Sequence, residues 1–527
     1  MSTNPPEQPA DGSTFAVDKR AQRNILIAMI TALVAVLAAM SGLNVAQQQL
    51  AIDLGASQSG VLWIINAYTV ALAALLLPVG AIGDRFGRKP VLLTGLAVFG
   101  VATLGSLLAT TTGMMIITRI VAGVGAAMIM PVTLSIITSS FPPEDKAKAI
   151  GIWAGFAGGG SMLAMFVSAF MIDVLTWRWV FILPFALIAV SAVMTTRHAP
   201  NSKESSEHRF DTVGSLLSAV AIGSLVLGIH EGPEHGWSAP LTVLAMAVGA
   251  ICLVAFVMWE RRQREPLLDI SAFRDRGLAT GSVTLLIVFA VMFGVFLVLF
   301  PFFQAVLGWT ALHSAAAMLP MTVVMMPMST VAPRIAARFG RRNTMASGVA
   351  IFAGGLATMA LRASVEGGYM SVLPGLMLIG LGMGLTMTPA TEAITETLPP
   401  EKQGVASALN DTSRELGGAV GIALLGSVLT AGYKSAIDPA LAGVPAELAN
   451  QAREGIGAAF AVAARAGDQG PVILDAAKHA FVEGWVQSMW LGVGMAAIAF
   501  TYLLVRGPGR NPVVTFADEC DDRVLVG

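Results

Sequence analysis

The stretch GAIGDRFGRKP, residues 80–90, follows an apolar run of membrane-spanning length and decides how the rest of the chain is read. Its glycines, Gly80 and Gly87, permit close helix approach and a tight turn. Asp84 is placed to cap or pair across to a neighbouring helix, while Arg85, Arg88 and Lys89 anchor the segment at a water-facing boundary. A generic basic turn accounts for Arg88 and Lys89 but not for the whole spacing.

Composition sets the solvent. Of 527 residues, 55% are hydrophobic and 12% charged, and the mean hydropathy is +0.72. A soluble domain carries about 25% charged residues, so this chain cannot cover its surface with charge and reads as an all-α, polytopic membrane protein. The net charge of −1 gives no reason to expect nucleic acid as a partner. Cys252 lies in an apolar run and Cys520 in the C-terminal tail; they form no disulfide framework and indicate no metal site. Residues 1–23 are polar and Pro-rich, without an apolar core or cleavage site, and read as a tail rather than a signal peptide.

Apolar runs long enough to cross about 30 Å of hydrocarbon as helices fall at 24–47, 59–82, 90–109, 113–138, 149–173, 178–196, 212–230, 239–260, 278–306, 312–334, 344–362, 371–394, 404–433 and 481–506. These fourteen spans put both termini on one side. Lys and Arg concentrate in alternate connections, including Arg85–Lys89, Lys146 and Lys148, and the stretches 197–209, 261–276 and 334–342. The opposite set is nearly free of them, with Arg178 and Arg362 as exceptions at span ends. The basic side, and with it both termini, is therefore expected in the cytoplasm, with a plasma membrane as the expected location. The segment 434–480 becomes the one sizeable external loop, Ala/Gly/Pro-rich and expected to be mobile or weakly helical.

Two parts of the chain read alike. GVGAAMIMP (123–131), followed by FPPEDKAKA from Phe141, parallels GLGMGLTMTP (380–389), followed by LPPEKQGVA from Leu398. GDRFGRK (83–89) parallels AARFGRR (336–342) at nearly the same offset. The pairs argue for two homologous six-helix bundles, 24–196 and 277–506, joined by a linker of 197–276 that carries two inserted helices, with tails at 1–23 and 507–527.

GAIGDRFGRKP resembles the signature loop of the major facilitator superfamily. WIINAY (63–68), RIVAGVGA (119–126), TWRWVF (176–181), GVASALN (404–410) and LGGAVG (416–421) resemble the fourteen-span drug:proton antiporter family. The resemblance covers nearly the whole membrane region. It implies a major facilitator fold, alternating access between two bundles, and export of lipophilic compounds, cationic ones among them, driven by proton entry. Small lipophilic substrates, protons and the bilayer are the implied partners, with a functional monomer and no cofactor.

The family pattern breaks at three places. Its first span usually carries an acid in a stretch ending N-V-A-L-P; here the run is AMSGLNVAQQ (39–48), with Ala39 at the acidic position and Gln48 at the proline. The G-P-x-x-G-G usual in span 5 is AMFVSA (164–169), and glycine-rich softness lies upstream at GFAGGG (155–160). Arg119 is kept, but the glutamine often found three residues on is Ala122. Either the protons use another site or the protein is not a simple antiporter.

A charge at the bilayer centre costs at least about 2.5–3.5 kcal/mol, so retained ionisable groups are candidate sites. NDTSRELGG (410–418) supplies the densest set: Asp411 and Glu415 share one helical face, with Arg414 beside them. A helix starting near Gln403 puts Asp411 roughly 12 Å and Glu415 about 18 Å along it. The alternative is that the membrane begins at Leu416 and the three charges sit in water. If buried, a low-dielectric cavity favours the neutral acids and the neighbouring arginine favours the carboxylates, so proton uptake and release both come within reach. Arg119 either snorkels to the surface or faces the cavity, where it and Arg414 would modulate a proton site or meet a substrate acid. Glu392 reads as a helix-end or gate residue. Asn44 and the stripe of Met318, Met321 and Met325, with Met328, are candidates for the cavity wall, ordinary packing or lipid contact being the alternative for the methionines.

Rival activities have weaker support. HEGPEH (230–235) has one residue too many to set both histidines on one face as a metalloprotease helix does, and its proline opposes a helix. No G-x-S-x-G and no G-x-x-x-x-G-K-[ST] occurs, which speaks against an enzyme and against a self-contained ATP-driven pump. Within transport, the alternative is an exporter of one specific lipid or metabolite with altered proton coupling.

Overall fold

The computed structural model describes residues 18–202, 210–442 and 444–508. Among them are α1 (Lys19–Leu54), α2 (Gln58–Phe86), α3 (Arg88–Leu107), α4 (Thr112–Ser140), α5 (Pro143–Val174), α6 (Ile182–His198), α7 (Thr212–His235) and α8 (Pro240–Glu260). There follow α9 (Arg276–Pro301), α10 (Ala311–Phe339), α11 (Arg341–Arg362), α12 (Gly368–Thr397), α13 (Gln403–Ile437), α14 (Ala446–Ala452), α15 (Ile456–Ala463) and α16 (Gly470–Arg506). Fourteen helical segments are long and apolar enough to cross a membrane, and no strand occurs among the described residues. Helix starts carry side-chain caps where the connections are short: Ser57 accepts from Gly60 N, Thr111 from Met114 N and Thr310 from His313 N.

The internal repeat is visible in packing. In the first half α1 packs on α4, α5 and α6, and in the second α9 packs on α12, α13 and α16. Helix α4 lies between α2 and α3 because it has no side chains where they meet. A Cβ on Gly125 would come 2.7 Å from Phe99 N, and one on Gly123 2.6 Å from Tyr68 O. Helix α12 repeats this between α10 and α11: a Cβ on Gly382 would stand 2.5 Å from Phe352 N. The two basic turns match as well, since Gly87 (φ 104°) and Gly340 (φ 87°) both take a backbone shape closed to residues with a side chain. The inserted helices α7 and α8 pair with each other, and α7 also leans on α2 and α13, beside the junction of the halves.

The halves meet along α5 with α10 and α12, and along α13 with α2 and α4. These contacts gather toward the arginine-rich end. There a Cβ on Gly80 would lie 2.5 Å from Gly404 O, and one on Gly151 2.6 Å from Ser329 O. At the opposite end α1 and α9 do not form a packed pair. The GFAGGG stretch, expected as a soft point, lies within a continuous α5; its glycines instead bring the helix close to Ser329 and Met325 of α10.

One other local expectation gives way: Pro233 lies inside α7, close enough to its end that the i→i−4 bond it removes leaves little helix beyond it to disrupt, and Gly236 (φ 99°) ends the helix. The segment 434–480, expected to be mobile or weakly helical, carries the short helices α14 and α15 between extensions of its neighbours. Helix α13 runs on to Ile437, α16 begins at Gly470, and Ile456, Ala459 and Val462 are buried where α15 packs on α16. Tyr433 donates to Ala452 O at 3.0 Å and ties this cap to α13.

Gly404→Val should force α2 and α13 apart, because a Cβ there already lies 2.7 Å from Asp84 Oδ1. In a background without Cys252 and Cys520, a cysteine at buried Ala408 should then react several-fold faster with a water-soluble maleimide; an unchanged rate would show that the seam does not depend on this approach.

Candidate functional site

Helix α13 brings the candidate acids into the protein interior. Asp411 is fully buried (0% exposed) and Arg414 nearly so (5%), which rules out the alternative that this part of the helix is a solvated end. Arg414 Nη1 lies 3.4 Å from Asp411 Oδ1, one helical turn away. Asn410 Nδ2 donates to the same oxygen at 3.2 Å, and Thr391 of α12 donates to Asn410 Oδ1 at 2.9 Å. Asp411 Oδ2 has no partner. A buried carboxylate with one bare oxygen is poorly compensated, and such groups mark working sites more often than resting structure.

Arg414 also reaches across the seam. Its Nη2 donates to Ala157 O of α5, in the other half, at 2.9 Å. Its guanidinium stands 4.5 Å from the ring centre of Phe289 on α9 and 5.7 Å from that of Trp153 on α5. Trp153 is itself fixed by donating to Thr133 Oγ1 at 3.2 Å. The arginine is thus held by a carboxylate and one aromatic of its own half, and by a carbonyl and a second aromatic of the other.

Glu415 is partly exposed although it lies deep in the protein, so it borders internal space rather than bulk solvent. It interacts electrostatically with Tyr68 of α2, as does Arg119 of α4. Arg119 is buried (2% exposed), with its guanidinium 4.2 Å from the Tyr68 ring centre and Nε donating to Ile64 O at 3.4 Å. It does not snorkel. It has no carboxylate partner among the described residues, and Tyr68 donates to Val36 O of α1 at 3.3 Å. Ala39, at the position where the resemblance implies an acid, is buried on the same helix. One end of this polar row therefore carries an arginine without an acid, and the other carries two acids with one arginine.

The basic loop forms a second constellation. Asp84 takes Arg88 Nη2 at 2.8 Å and Nε at 3.1 Å on Oδ1. It also accepts from Gly404 N at 2.8 and 2.9 Å and from Val405 N at 3.2 Å. Helix α13 has no side-chain cap of its own. Asp84 supplies that cap from the opposite half, where the positive end of the helix favours an anion. Arg88 Nη2 adds a bond to Pro400 O at 3.1 Å. Gly80 lets the two helices close, and Gly87 turns the chain so that Arg88 folds back. Arg85 is exposed beside Phe86. Sequence reasoning placed Asp84 as a cap or cross-helix partner but could not name Gly404, which is 320 positions away.

Met318, Met321 and Met325 are all fully buried. They pack α10 into its neighbours: Met321 against Gly380 of α12, and Met325 against Gly158 and Gly159 of α5. Met325 thus packs at the seam, Met321 within the second half, and none of the three faces lipid. Asn44 lies on α1, with its side chain outside the described residues. Glu392 is buried, with Oε2 3.9 Å from Arg341 Nε and Oε1 unpartnered.

Arg414→Met would leave Asp411 buried and unpaired, a loss of about 3–5 kcal/mol. The unfolding midpoint in detergent should fall in Arg414→Met and recover for the most part in the double variant Asp411→Asn/Arg414→Met. Additive losses in the double variant would show that the two side chains do not act as a pair.

The chain is 31% identical over 435 residues to the multidrug efflux pump LfrA of Mycolicibacterium smegmatis, covering 82% of this chain and 86% of that one. It is 29% identical over 452 residues to the methyl viologen resistance protein SmvA of Salmonella typhimurium, covering 85% and 90%. Among solved structures, a bacterial homologue of the human lysosomal transporter Spinster superimposes with a TM-score of 0.59 at 16% identity, over 93% of this chain and 98% of that one, and supports the fold. Residues 27–422, from α1 into α13, match the profile of the Major Facilitator Superfamily, and the chain belongs to that family of transporters.

Proposed function

We propose that this protein exports lipophilic compounds, cationic ones among them, by alternating access coupled to proton entry through Asp411 and Glu415. The observation that carries the reading is the placement of Asp411 and Arg414, buried, and Glu415, partly exposed to internal space, at the seam, with Arg414 bonded to Ala157 of the other half. A change in the state of either acid alters what holds Arg414, and Arg414 is one of the bonds that hold the halves together. Proton binding and the opening of the seam are thereby linked through one side chain.

By the Lys/Arg asymmetry the arginine-rich end faces the cytoplasm. The structure then corresponds to a form closed on the cytoplasmic side by the Asp84 cap and the α5–α10 contact. A proton arriving from outside neutralises an acid, weakens its hold on Arg414, and favours separation of the halves at the cytoplasmic end. Substrate enters there, and release of the proton inward restores the pair. An organic cation held near Glu415 would compete with the proton for the same negative charge, which gives exchange in opposite directions. The names of the relatives, a multidrug efflux pump and a methyl viologen resistance protein, fit export of such compounds. Arg119, stacked on Tyr68 on the same side of the seam, is the group we assign to modulating that charge. Two predicted losses, the first-span acid at Ala39 and the Pro-Gly flexure of α5, leave the α13 acids as the coupling pair.

Purified protein in liposomes with an imposed pH gradient, assayed with a panel of cationic dyes, tests this. Asp411→Asn and Glu415→Gln should each lose most gradient-driven flux, and the double variant all of it, while downhill exchange of bound dye persists. Full gradient-driven transport in the double variant would end the proposal.

A further inference from the structure

At the arginine-rich end, beyond the last turn of α8, the chain curls around a cavity of about 570 Å³ before α9 begins. Arg261 and Arg264 enter it from the end of α8 and the connection, and Arg274 from the short helical turn Ile270–Arg274. All three arginines are exposed and have no carboxylate partner among the described residues. The two acids that also border the cavity are turned elsewhere. Asp269 accepts from Ser271 N at 2.8 Å and lies within the electrostatic reach of Lys402. Glu260 accepts from Leu268 N at 3.3 Å, and its Oε1, which is unpartnered, lies against Gly214 of α7. The cavity therefore offers guanidinium groups and little opposing charge.

Its location adds a second constraint. Glu260 closes a membrane-spanning segment and Arg276 opens the next, so the cavity sits at the depth of the bilayer headgroups. Directly along α8, Ile251, Val254 and Met258 present a bare apolar face of the kind acyl chains cover. We infer that this cavity binds a phosphate group, and that the phosphate is the headgroup of an anionic membrane phospholipid whose chains lie on α8. Planar guanidinium groups match phosphate oxygens in pairs, and basic pockets between membrane helices on the cytoplasmic side suit such headgroups. The connection is fixed to the gate region as well, because Lys402, just before α13, donates to Pro266 O at 2.9 Å.

The test uses full-length protein in nanodiscs of phosphatidylcholine with a minor fraction of phosphatidylglycerol, followed by native mass spectrometry of retained lipid. Wild type should keep phosphatidylglycerol in preference to phosphatidylcholine. Replacing Arg261, Arg264 and Arg274 by Gln should weaken retention by about fivefold per arginine. The same three positions changed to Lys should keep most of it, and Arg362→Gln at the opposite end should change nothing. Inorganic phosphate at millimolar concentration should fail to displace the lipid; ready displacement would assign the cavity to free phosphate and overturn the lipid identity. Retention by the triple Gln variant at the wild-type level, equal loss in Arg362→Gln, or no preference in wild type would overturn the site itself.

Discussion

Charge inside hydrocarbon must be matched within the protein, and in this molecule the matching is done across the junction of the two halves. Asp84 belongs to the first half, yet its carboxylate is satisfied in part by the opening N–H groups of α13 in the second. Arg414 belongs to the second half, yet it finishes its bonding on Ala157 of the first. Separating the halves would strip Asp84 of its backbone donors and Arg414 of its carbonyl, leaving each buried with only the ion-pair partner of its own half, Arg88 and Asp411. The closed arrangement therefore follows from electrostatic need as much as from shape, and the rest of the packing at this end is built to let those two contacts form.

The two contacts differ in what can change them. Asp84 is gripped by Arg88 and by two backbone N–H groups, that of Gly404 shared between both its oxygens, so it behaves as a fixed peg for the start of α13. Arg414 rests on a carboxylate with one unused oxygen, two aromatic rings and a single carbonyl. It is the more adjustable of the pair. A transporter needs both kinds: a contact that defines the closed state, and one whose strength answers to what is bound.

Much of this was legible in the sequence. The fourteen spans, the repeat and the basic turns follow from apolar run length and from short motifs with Gly at fixed places, which act locally. The unusual density of charge at 410–418 pointed to the site because each ionisable group in a span carries a cost. Whether those charges were buried could not be read, since GVASAL before them suits a helix start in water or in protein equally well. The cross-half partners were out of reach too. Ala157 and Gly404 contribute backbone atoms, and a backbone atom leaves no mark in residue type. The methionines pack, which was one of the two readings their spacing allowed: helical spacing reveals that they share a face, but not that Gly158, Gly159 and Gly380 face them. The packing of α15 on α16 within 434–480 was out of reach because alanine and glycine report small volume, which serves packing and looseness alike.

The α5–α10 junction has a mechanical consequence. Its surfaces are glycine backbone on one side and methionine thioethers on the other, with Thr322 donating to Met162 Sδ as a polar link. Such a junction resists separation through weak dispersion forces spread over its area, and its flexible side chains can re-form contact at many offsets. It acts as a sliding bearing without detents of its own. The positions at which the halves come to rest are then set elsewhere, by the few charged contacts, and substitutions within the bearing should alter how fast the molecule moves between states more than which state it prefers.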